Sequence, residues 1–279
     1  MILIADSGST KIDWRAVGSD RSVKGFTTPG INPYYQTDDE IIEEFKENLL
    51  PNIPSNVKVS EVNFYGAGVT PEKTGNLSIC FKALFDDVKV FASTDLLAAA
   101  RALCGHEPGI AAILGTGGNS CFYDGTKIVD NVPACGFILG DEGSGAVIGK
   151  NFISDYLKRQ IPQDLRACFD ERFGLDYGAI VEKVYKQPYP NRFLASFSPF
   201  VHENRDNPYV KRLLNKCFGD FITRNILQYD YKNYSLNIVG SVAFYYQDEI
   251  REVASEYGVI LGKILKSPIE GLVNYHLNM

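Results

Sequence analysis

The strongest constraint on the fold of this chain is a unit that occurs twice: a strand, a turn of small polar residues and a second strand. Near the N-terminus an apolar run leads into Asp6-Ser7-Gly8-Ser9-Thr10-Lys11, and Ile12 to Val17 follows. Near the middle another apolar run leads into Gly115-Thr116-Gly117-Gly118-Asn119 and then Ser120 to Tyr123. The two copies lack close identity but share their order, which predicts two similar β-hairpins and an internal duplication.

The first turn consists of residues that favour contact with phosphate. Gly8 tolerates a positive φ and has no side chain to block a ligand. Successive backbone N–H groups, with the hydroxyls of Ser7, Ser9 and Thr10, are able to form a concave nest for phosphate oxygens. Asp6, at the end of the strand, is placed to hold a magnesium ion or its waters. An ordinary hairpin capped by polar residues explains the same pattern, so both interpretations stay open.

Composition excludes several classes of partner. The chain has 279 residues, 45% of them hydrophobic, which is enough for two cores. A net charge of −6 lacks the basic surface that nucleic acid or anionic lipid requires. The six cysteines are widely spaced without a C-x-x-C pair, which predicts reduced thiols in a cytoplasmic protein. We expect neither a signal peptide nor a membrane-spanning helix.

The remaining pattern alternates between strands and helices and predicts an α/β sheet with crossover helices. In the first part the predicted elements are a third antiparallel strand Ser22–Thr27, a helix within Gln36–Leu50, strands Val57–Tyr65 and Val88–Ala92, and helices Pro71–Phe85 and Leu96–Cys104. Thr37 and Glu40 are expected to form a capping box at the first helix. In the second part we predict helices Ala146–Arg159, Leu165–Phe173, Tyr177–Lys186 and Pro208–Tyr229, with a loop at 187–191. After these we predict strand Leu236–Val239, helix Phe244–Glu256, strand Val259–Leu261 and a terminal helix with Pro268 at its first position.

Several polar residues in this pattern have both a structural and a functional interpretation. Asp95 lies where a strand ends and a helix begins, so it is either a helix N-cap or a ligand-facing carboxylate. Asn32 lies in a proline-rich turn, which suits turn formation as well as ligand binding. Asp141 and Glu142 stand among four glycines and are able to accept hydrogen bonds from hydroxyl groups or to cap the next helix. The turn at Gly240 to Ala243 suits either an adenine ring or close helix packing.

Common nucleotide and hydrolase motifs are missing. The sequence has no complete G-x-x-x-x-G-K-[ST], no G-x-G-x-x-G and no G-x-S-x-G. The three histidines, His106, His202 and His276, are isolated from one another. These absences argue against P-loop NTPases, simple Rossmann dehydrogenases and α/β-hydrolases, and leave a nucleotide site made of paired hairpins.

Five segments resemble the motifs of the sugar kinase, Hsp70 and actin superfamily, in particular its N-acetylglucosamine kinases and BadF/BadG/BcrA/BcrD-type ATPases. Asp6–Lys11 is similar to the first phosphate motif and Leu114–Ser120 to the second. Ser93–Asp95 is similar to the segment with the catalytic base. Gly140–Ser144 is similar to the sugar-side loop, and Val239–Ala243 to the adenosine motif. Their order extends the resemblance over nearly the whole chain.

The resemblance implies an α/β fold of two ribonuclease-H-like lobes with an interlobe nucleotide cleft. The N-terminal lobe would comprise residues 1–104 plus 266–279, and the C-terminal lobe, with a helical insertion, residues 105–265. By match, Asp95 would be the general base and Asp6 the residue that organises Mg²⁺. The remaining roles would be phosphate binding by Gly8, Ser9, Thr10, Lys11, Gly115, Thr116, Gly117 and Gly118, adenosine binding by Gly240 and Ser241, and sugar binding by Asn32, Asn119 and Asp141.

The implied activity is ATP-dependent phosphorylation of an amino sugar, with N-acetylglucosamine and its 6-hydroxyl as the expected acceptor. The stretch Pro133 to Gly140 replaces a tryptophan-containing sugar loop of some N-acetylglucosamine kinases, so glucosamine and N-acetylmuramic acid stay open as substrates. The alternative is a non-kinase ATPase of the BadF/BadG type, whose lobe closure drives a partner protein. A homodimer is compatible with either function.

Overall fold

The chain divides into two compact units. One contains Met1–His106 and Pro268–Met279, and the other contains Glu107–Ser267. The structure is a computed structural model that describes residues 1–8, 11–31, 36–69 and 71–278, with only the helical backbone given for residues 71–73. Each unit is built on its own five-stranded sheet.

The sheet of the first unit has the strand order β3-β2-β1-β4-β5. Strands β1, β2 and β3 pair antiparallel, whereas β1, β4 and β5 run parallel to one another. The strands are β1 (Ile2–Ser7), β2 (Lys11–Val17), β3 (Val23–Pro29), β4 (Glu61–Gly66) and β5 (Lys89–Thr94). The helices are α1 (Asp38–Asn48), α2 (Pro71–Leu84), α3 (Asp95–Cys104) and the C-terminal helix, Ile269–Leu277, with a 3₁₀ turn at Leu50–Asn52.

An aromatic cluster fills one core of the first unit. Trp14 is fully buried and packs against Phe45, Phe64 and Phe81, with ring centroids 6.0 to 6.4 Å apart. Its Nε1 donates a hydrogen bond of 2.9 Å to Thr28 Oγ1, so the one polar atom of the ring is satisfied. Because Trp14 is the sole tryptophan of the chain, its fluorescence reports on this unit.

The predicted cap of α1 is confirmed. Thr37 Oγ1 accepts from the Glu40 N–H, and the Glu40 carboxylate accepts from the Thr37 N–H at 2.8 Å. This reciprocal pair satisfies two backbone donors that the first turn of a helix leaves open. The helix then turns Ile41 and Phe45, one helical turn apart, into the core.

The second unit repeats the topology of the first. Its sheet order is β10-β9-β6-β7-β8, in which β6, β7 and β8 are antiparallel and β6, β9 and β10 are parallel. The strands are β6 (Gly109–Leu114), β7 (Gly118–Tyr123), β8 (Ile128–Asp130), β9 (Leu236–Val239) and β10 (Leu261–Leu265). The expected duplication is therefore present in the tertiary structure, and the predicted α/β fold of two actin-like lobes is confirmed.

Along the chain, most of the helices of the second unit come after its first three strands and before its last two. They are α4 (Gly136–Leu139), α5 (Gly145–Leu157), α6 (Gln163–Phe173), α7 (Tyr177–Tyr185), α8 (Pro190–Ala195), α9 (Ser198–Glu203) and α10 (Pro208–Arg224), with a 3₁₀ turn at Ile226–Gln228. After β9 come α11 (Ser241–Tyr245) and α12 (Gln247–Glu256), so the C-terminal helix of the chain is α13. Within the described residues no helix is both long and apolar enough to cross a membrane.

Six local predictions were wrong. The strand expected over Val57–Tyr65 is Glu61–Gly66, and the helix expected over Pro208–Tyr229 ends at Arg224. The helix expected over Phe244–Glu256 is broken at Tyr246, whose buried hydroxyl donates to the Ser198 carbonyl at 2.6 Å and fixes the break. The last strand is Leu261–Leu265 rather than Val259–Leu261, because its register is set by pairing with β9. The predicted loop at 187–191 ends where α8 begins, and Pro268 is the N-cap of α13 rather than its first residue.

Candidate functional site

The first part of the candidate site lies at the carboxyl edge of the first sheet. Because β1, β4 and β5 are parallel neighbours, their carboxyl ends meet at one edge. Asp6 is the penultimate residue of β1, and Asp95 follows β5 directly as the first residue of α3. The helix cap is Thr94, whose Oγ1 accepts from the Leu97 N–H at 3.2 Å, so the interpretation of Asp95 as the N-cap was wrong. Asp95 is thus not needed as the cap.

The carboxylates at this edge influence one another. The pKa of Asp6 is raised to about 7. Burial is the largest cause, the nearby Asp95 and Asp13 carboxylates also raise it, and Lys11 lowers it. Burial also raises the pKa of Asp95, partly offset by hydrogen bonds from the backbone N–H groups of Leu96 and of Asp95 itself. The edge therefore carries more negative charge than its surroundings stabilise, which favours a cation.

The donor set at Asp6 is compatible with magnesium. No group of three or more His, Cys, Asp or Glu side chains in the described part of the chain is arranged to hold a metal. Mg²⁺ in phosphoryl-transfer sites, however, needs only one or two carboxylates, because water and substrate phosphates complete its shell. The crowding of Asp6 by Asp13 and Asp95 is the feature of this edge that such a cation would relieve.

The first turn is only partly described. The Gly8 N–H donates to the Lys11 carbonyl at 3.0 Å and closes the turn. Gly8 does not adopt a left-handed backbone, so the turn uses the small size of this glycine rather than its tolerance of a positive φ. The Lys11 ammonium donates to Asp13 Oδ2 at 3.0 Å. The other predicted residues of this region, Ser9, Thr10 and Asn32, lie outside the described residues.

The second part of the candidate site is a cavity of about 340 Å³ in the second unit. It brings together Gly115 and Thr116 of the second turn, Gly145 at the start of α5, and Ser241 at the start of α11. The carbonyls of Gly115 and Thr116 accept from the first N–H groups of α5 at 2.8 and 3.1 Å. This docks the turn onto the helix N-terminus and fixes the floor of the cavity.

The sequence reasoning missed the opposite wall of this cavity. The lining residues that it missed come from α8, α9, the end of α11 and the residue after α11: Ala195, Ser198, Pro199, His202, Glu203, Tyr245 and Tyr246. Val242 also lines the cavity and belongs to the segment that resembles the adenosine motif. His202 Nε2 lies 2.9 Å from the Tyr245 carbonyl oxygen, which joins α9 to α11. No local signal marks these residues, because they come together only through the packing of short helices that the pattern did not predict.

Gly240 lines no part of the cavity but determines how close β9 approaches β6. Its φ is 131°, and a Cβ there would lie 2.2 Å from the Leu114 carbonyl oxygen. Any side chain would force the turn away from the end of β6. Close backbone packing therefore explains why a glycine stands at this position. The same packing sets the position of the neighbouring Ser241 on the cavity wall.

A narrow recess beside the second turn, without room for a water molecule, forms the third part of the candidate site. It is lined by Gly118, Asn119, Asp141 and Glu142, together with Ala134, Phe221 and Asn225. The half-buried Asp141 carboxylate accepts from the Gly118 N–H and lies against Gly117. Gly117 and Gly118 thus face Asp141, whereas Gly115 and Thr116 line the cavity.

The Asn119 side chain is oriented by a residue that the sequence reasoning did not select. Asn119 Oδ1 accepts from the Ser120 N–H at 2.9 Å and from Asn131 Nδ2 at 3.0 Å. The same Asn131 amide also donates to the Ser120 carbonyl at 2.6 Å. With its oxygen engaged twice, Asn119 has its amide donors left for a ligand, since they meet no acceptor within the described residues.

Two copies of one mixed-sheet topology in a single chain define the class of this protein, the sugar kinase, Hsp70 and actin superfamily. Neither a protein-family model nor a curated protein matches the chain. Among solved structures, the putative N-acetylglucosamine kinase of Porphyromonas gingivalis is 46% identical, with 100% of this chain and 99% of that chain covered and a TM-score of 0.94. The chain belongs to the family of that protein.

Two more distant structures share the fold. The putative N-acetylglucosamine kinase of Chromobacterium violaceum is 16% identical with a TM-score of 0.74, and 98% of each chain is covered. A putative N-acetylmannosamine kinase of Listeria monocytogenes is 14% identical with a TM-score of 0.52, and 99% of this chain and 98% of that chain are covered. At these identities the similarity establishes the architecture alone.

Proposed function

We propose that this protein is an ATP- and Mg²⁺-dependent kinase that transfers the γ-phosphoryl group of ATP to the 6-hydroxyl of N-acetylglucosamine. The observation that carries the proposal is the 46% identity, over essentially the full length of both chains, to a protein described as a putative N-acetylglucosamine kinase. Three local environments support it: the carboxylate edge, the cavity and the recess. None of the six cysteines, all of which lie in the described part of the chain, forms a disulfide, which supports a location in the reducing cytoplasm.

Asp95 is the group with the properties of a general base. Burial raises its pKa, so the carboxylate has a higher affinity for a proton than an exposed aspartate. Backbone N–H groups at the start of α3 hold its orientation. In the proposed reaction Asp95 accepts the proton of the sugar hydroxyl while that oxygen forms a bond to the γ-phosphorus and the bond to the β-phosphate oxygen breaks.

Nucleotide binding is assigned to two groups of residues. Asp6 would hold Mg²⁺, which when bound supplies positive charge against the phosphate oxygens. In the second unit, Gly115 and Thr116 with Ser241 line a cavity whose walls include Tyr245 and Val242, a mixture of small, hydroxyl and flat apolar groups that suits a nucleoside. We assign the adenosine to this cavity and the phosphates to the glycine turns.

In this proposal the partly exposed residues Asn119 and Asp141 beside the second turn supply sugar recognition. The Asp141 carboxylate offers acceptors to sugar hydroxyl groups, and the Asn119 amide offers donors to a hydroxyl or to the acetamido oxygen. A site that pairs a donor with an acceptor discriminates well between polar substrates, because a sugar that lacks the matching group leaves buried polar atoms unpaired.

The test is ADP release by the purified protein with Mg·ATP and a panel of sugars: N-acetylglucosamine, glucosamine, N-acetylmuramic acid, N-acetylmannosamine and glucose. We expect turnover that depends on N-acetylglucosamine, with a 6-phosphate product identified by ³¹P NMR. The matched control is 6-deoxy-N-acetylglucosamine, which keeps every other group and is expected to give no product. ATP consumption that is indifferent to every sugar would refute the kinase and favour an ATPase that drives a partner protein.

A further inference from the structure

Glu142, the residue after Asp141, is a buried carboxylate that the proposed chemistry does not use. Its side chain is about 10% exposed. Oε1 forms an ion pair of 2.7 Å with Arg224 Nη1, and Oε2 accepts a hydrogen bond of 3.2 Å from Asn225 Nδ2. Arg224 is the last residue of α10 and Asn225 is its C-cap, so the carboxylate ties the loop to the end of a 17-residue helix.

The backbone on both sides of Glu142 is held in conformations that need such support. Asp141 has a φ of 53°, in the left-handed region that residues with a Cβ seldom adopt. Gly143 has a φ of 74°, and a Cβ there would lie 3.0 Å from Phe221 Cβ of α10. The loop is therefore pressed against α10 at Gly143 and tied to the end of the same helix through Glu142.

The other side of the loop faces the second turn. A Cβ on Gly118 would lie 3.3 Å from the Glu142 carbonyl oxygen, and the Gly118 N–H donates to the Asp141 carboxylate. A shift of Glu142 would therefore move the Asp141 carboxylate relative to Gly118 and Asn119. A shift of a few tenths of an ångström is enough to weaken a hydrogen bond to a substrate hydroxyl.

We propose that Glu142 is a positioning residue for the sugar site: through Arg224 and Asn225 it anchors the loop to α10 and holds Asp141 in its left-handed conformation. This proposal rests on the proposed function, because Asp141 is the group through which it acts. In this proposal Glu142 acts on the sugar through Asp141 rather than by direct contact. Its carboxylate is already engaged by two partners, and its loss affects the sugar rather than the nucleotide.

The experiment compares steady-state kinetics of the full-length protein and three variants with N-acetylglucosamine and Mg·ATP. Glu142→Gln keeps an acceptor for Asn225 but removes the charge that Arg224 requires. Arg224→Met removes the cation from the other side, and because the Arg224 side chain is 62% exposed, this variant is expected to fold. Arg224→Lys keeps the cation and serves as the conservative rescue.

We expect Glu142→Gln and Arg224→Met each to raise the KM for the sugar about tenfold, equivalent to about 1.4 kcal/mol of binding. The KM for ATP should change less than about twofold and kcat should fall little, since the interaction lost is one made equally in ground and transition states. Arg224→Lys should restore most of the sugar affinity. The double variant Glu142→Gln/Arg224→Met should be no worse than either single variant, because both break the same pair.

A control separates positioning from stability. Val210 is fully buried on the same helix, 14 residues before Arg224, or about 21 Å along the axis. Val210→Ala should lower the Tm without a change in the KM for the sugar. If Val210→Ala raises that KM as much as Glu142→Gln does at equal loss of Tm, Glu142 is merely structural and the proposal is overturned.

The remaining outcomes distinguish the two proposals. A sugar-dependent wild-type enzyme in which Glu142→Gln and Arg224→Met leave the KM for the sugar unchanged overturns the positioning role alone. A wild-type protein whose ATP turnover ignores sugars overturns the proposed function, and the positioning role fails with it.

Discussion

Protonation of His276 should destabilise the first unit below neutral pH. His276 lies on α13, is 8% exposed, and its Nε2 is 2.8 Å from the Tyr65 hydroxyl oxygen. Arg101 Nη1 donates to that same oxygen at 2.7 Å, so the Tyr65 proton is directed to His276 Nε2, which must be an unprotonated acceptor. Burial, with the Arg101 charge as the second cause, lowers the pKa of His276 from 6.5 to about 4.

The direction and the size of the change in unfolding free energy with pH follow from the linkage between protonation and folding. The unfolded chain takes up the proton near pH 6.5, whereas the folded chain resists it until about pH 4. The stabilisation is therefore fully present above pH 6.5 and is lost as the pH falls toward 4. At pH 5 the loss from this group alone should be about 2 kcal/mol, and the complete loss about 3 kcal/mol.

The assay is urea unfolding at pH 7.5 and pH 5.0, followed by the fluorescence of Trp14, which lies in the same unit as His276. His276→Phe removes the titrating ring, so the difference in unfolding free energy between the two pH values should be about 2 kcal/mol smaller than in the wild type. His106→Gln, at an exposed histidine of this unit that is the smallest of the three causes lowering the His276 pKa, is the matched control and should retain most of the wild-type change. An equal pH dependence in wild type and His276→Phe would refute the reasoning.

Three further predictions concern single residues. Asp95→Asn should lower kcat by about 10²-fold or more with little change in the KM for ATP, and normal turnover would remove Asp95 as the base. Thr37→Ala should reduce the unfolding free energy read by Trp14 by about 1 kcal/mol, because it opens the capping box; an unchanged urea midpoint contradicts this. Gly240→Ala should cost about 3 kcal/mol or more, since its Cβ would meet the Leu114 carbonyl, and a wild-type Tm would count against that contact.

The sequence by itself determined the features that depend on neighbouring residues. Apolar periodicity and turn chemistry predicted the two hairpins, the alternating strands and helices, and the capping box of Thr37 and Glu40, all present in the structure. These signals are local, because a cap or a strand depends on residues within a few positions of one another. The family resemblance, carried by short motifs, likewise agreed with the 46% identity to a known structure.

The tertiary structure alone decided which distant residues act together. Asp6 and Asp95 influence each other only because β1, β4 and β5 are parallel neighbours in one sheet. Glu142 reaches Asn225 across 83 residues of sequence, and nothing in the local pattern names that partner. Such contacts depend on chain closure and packing, so the electrostatic environment of Asp6 and the anchoring of the Asp141 loop required the folded structure.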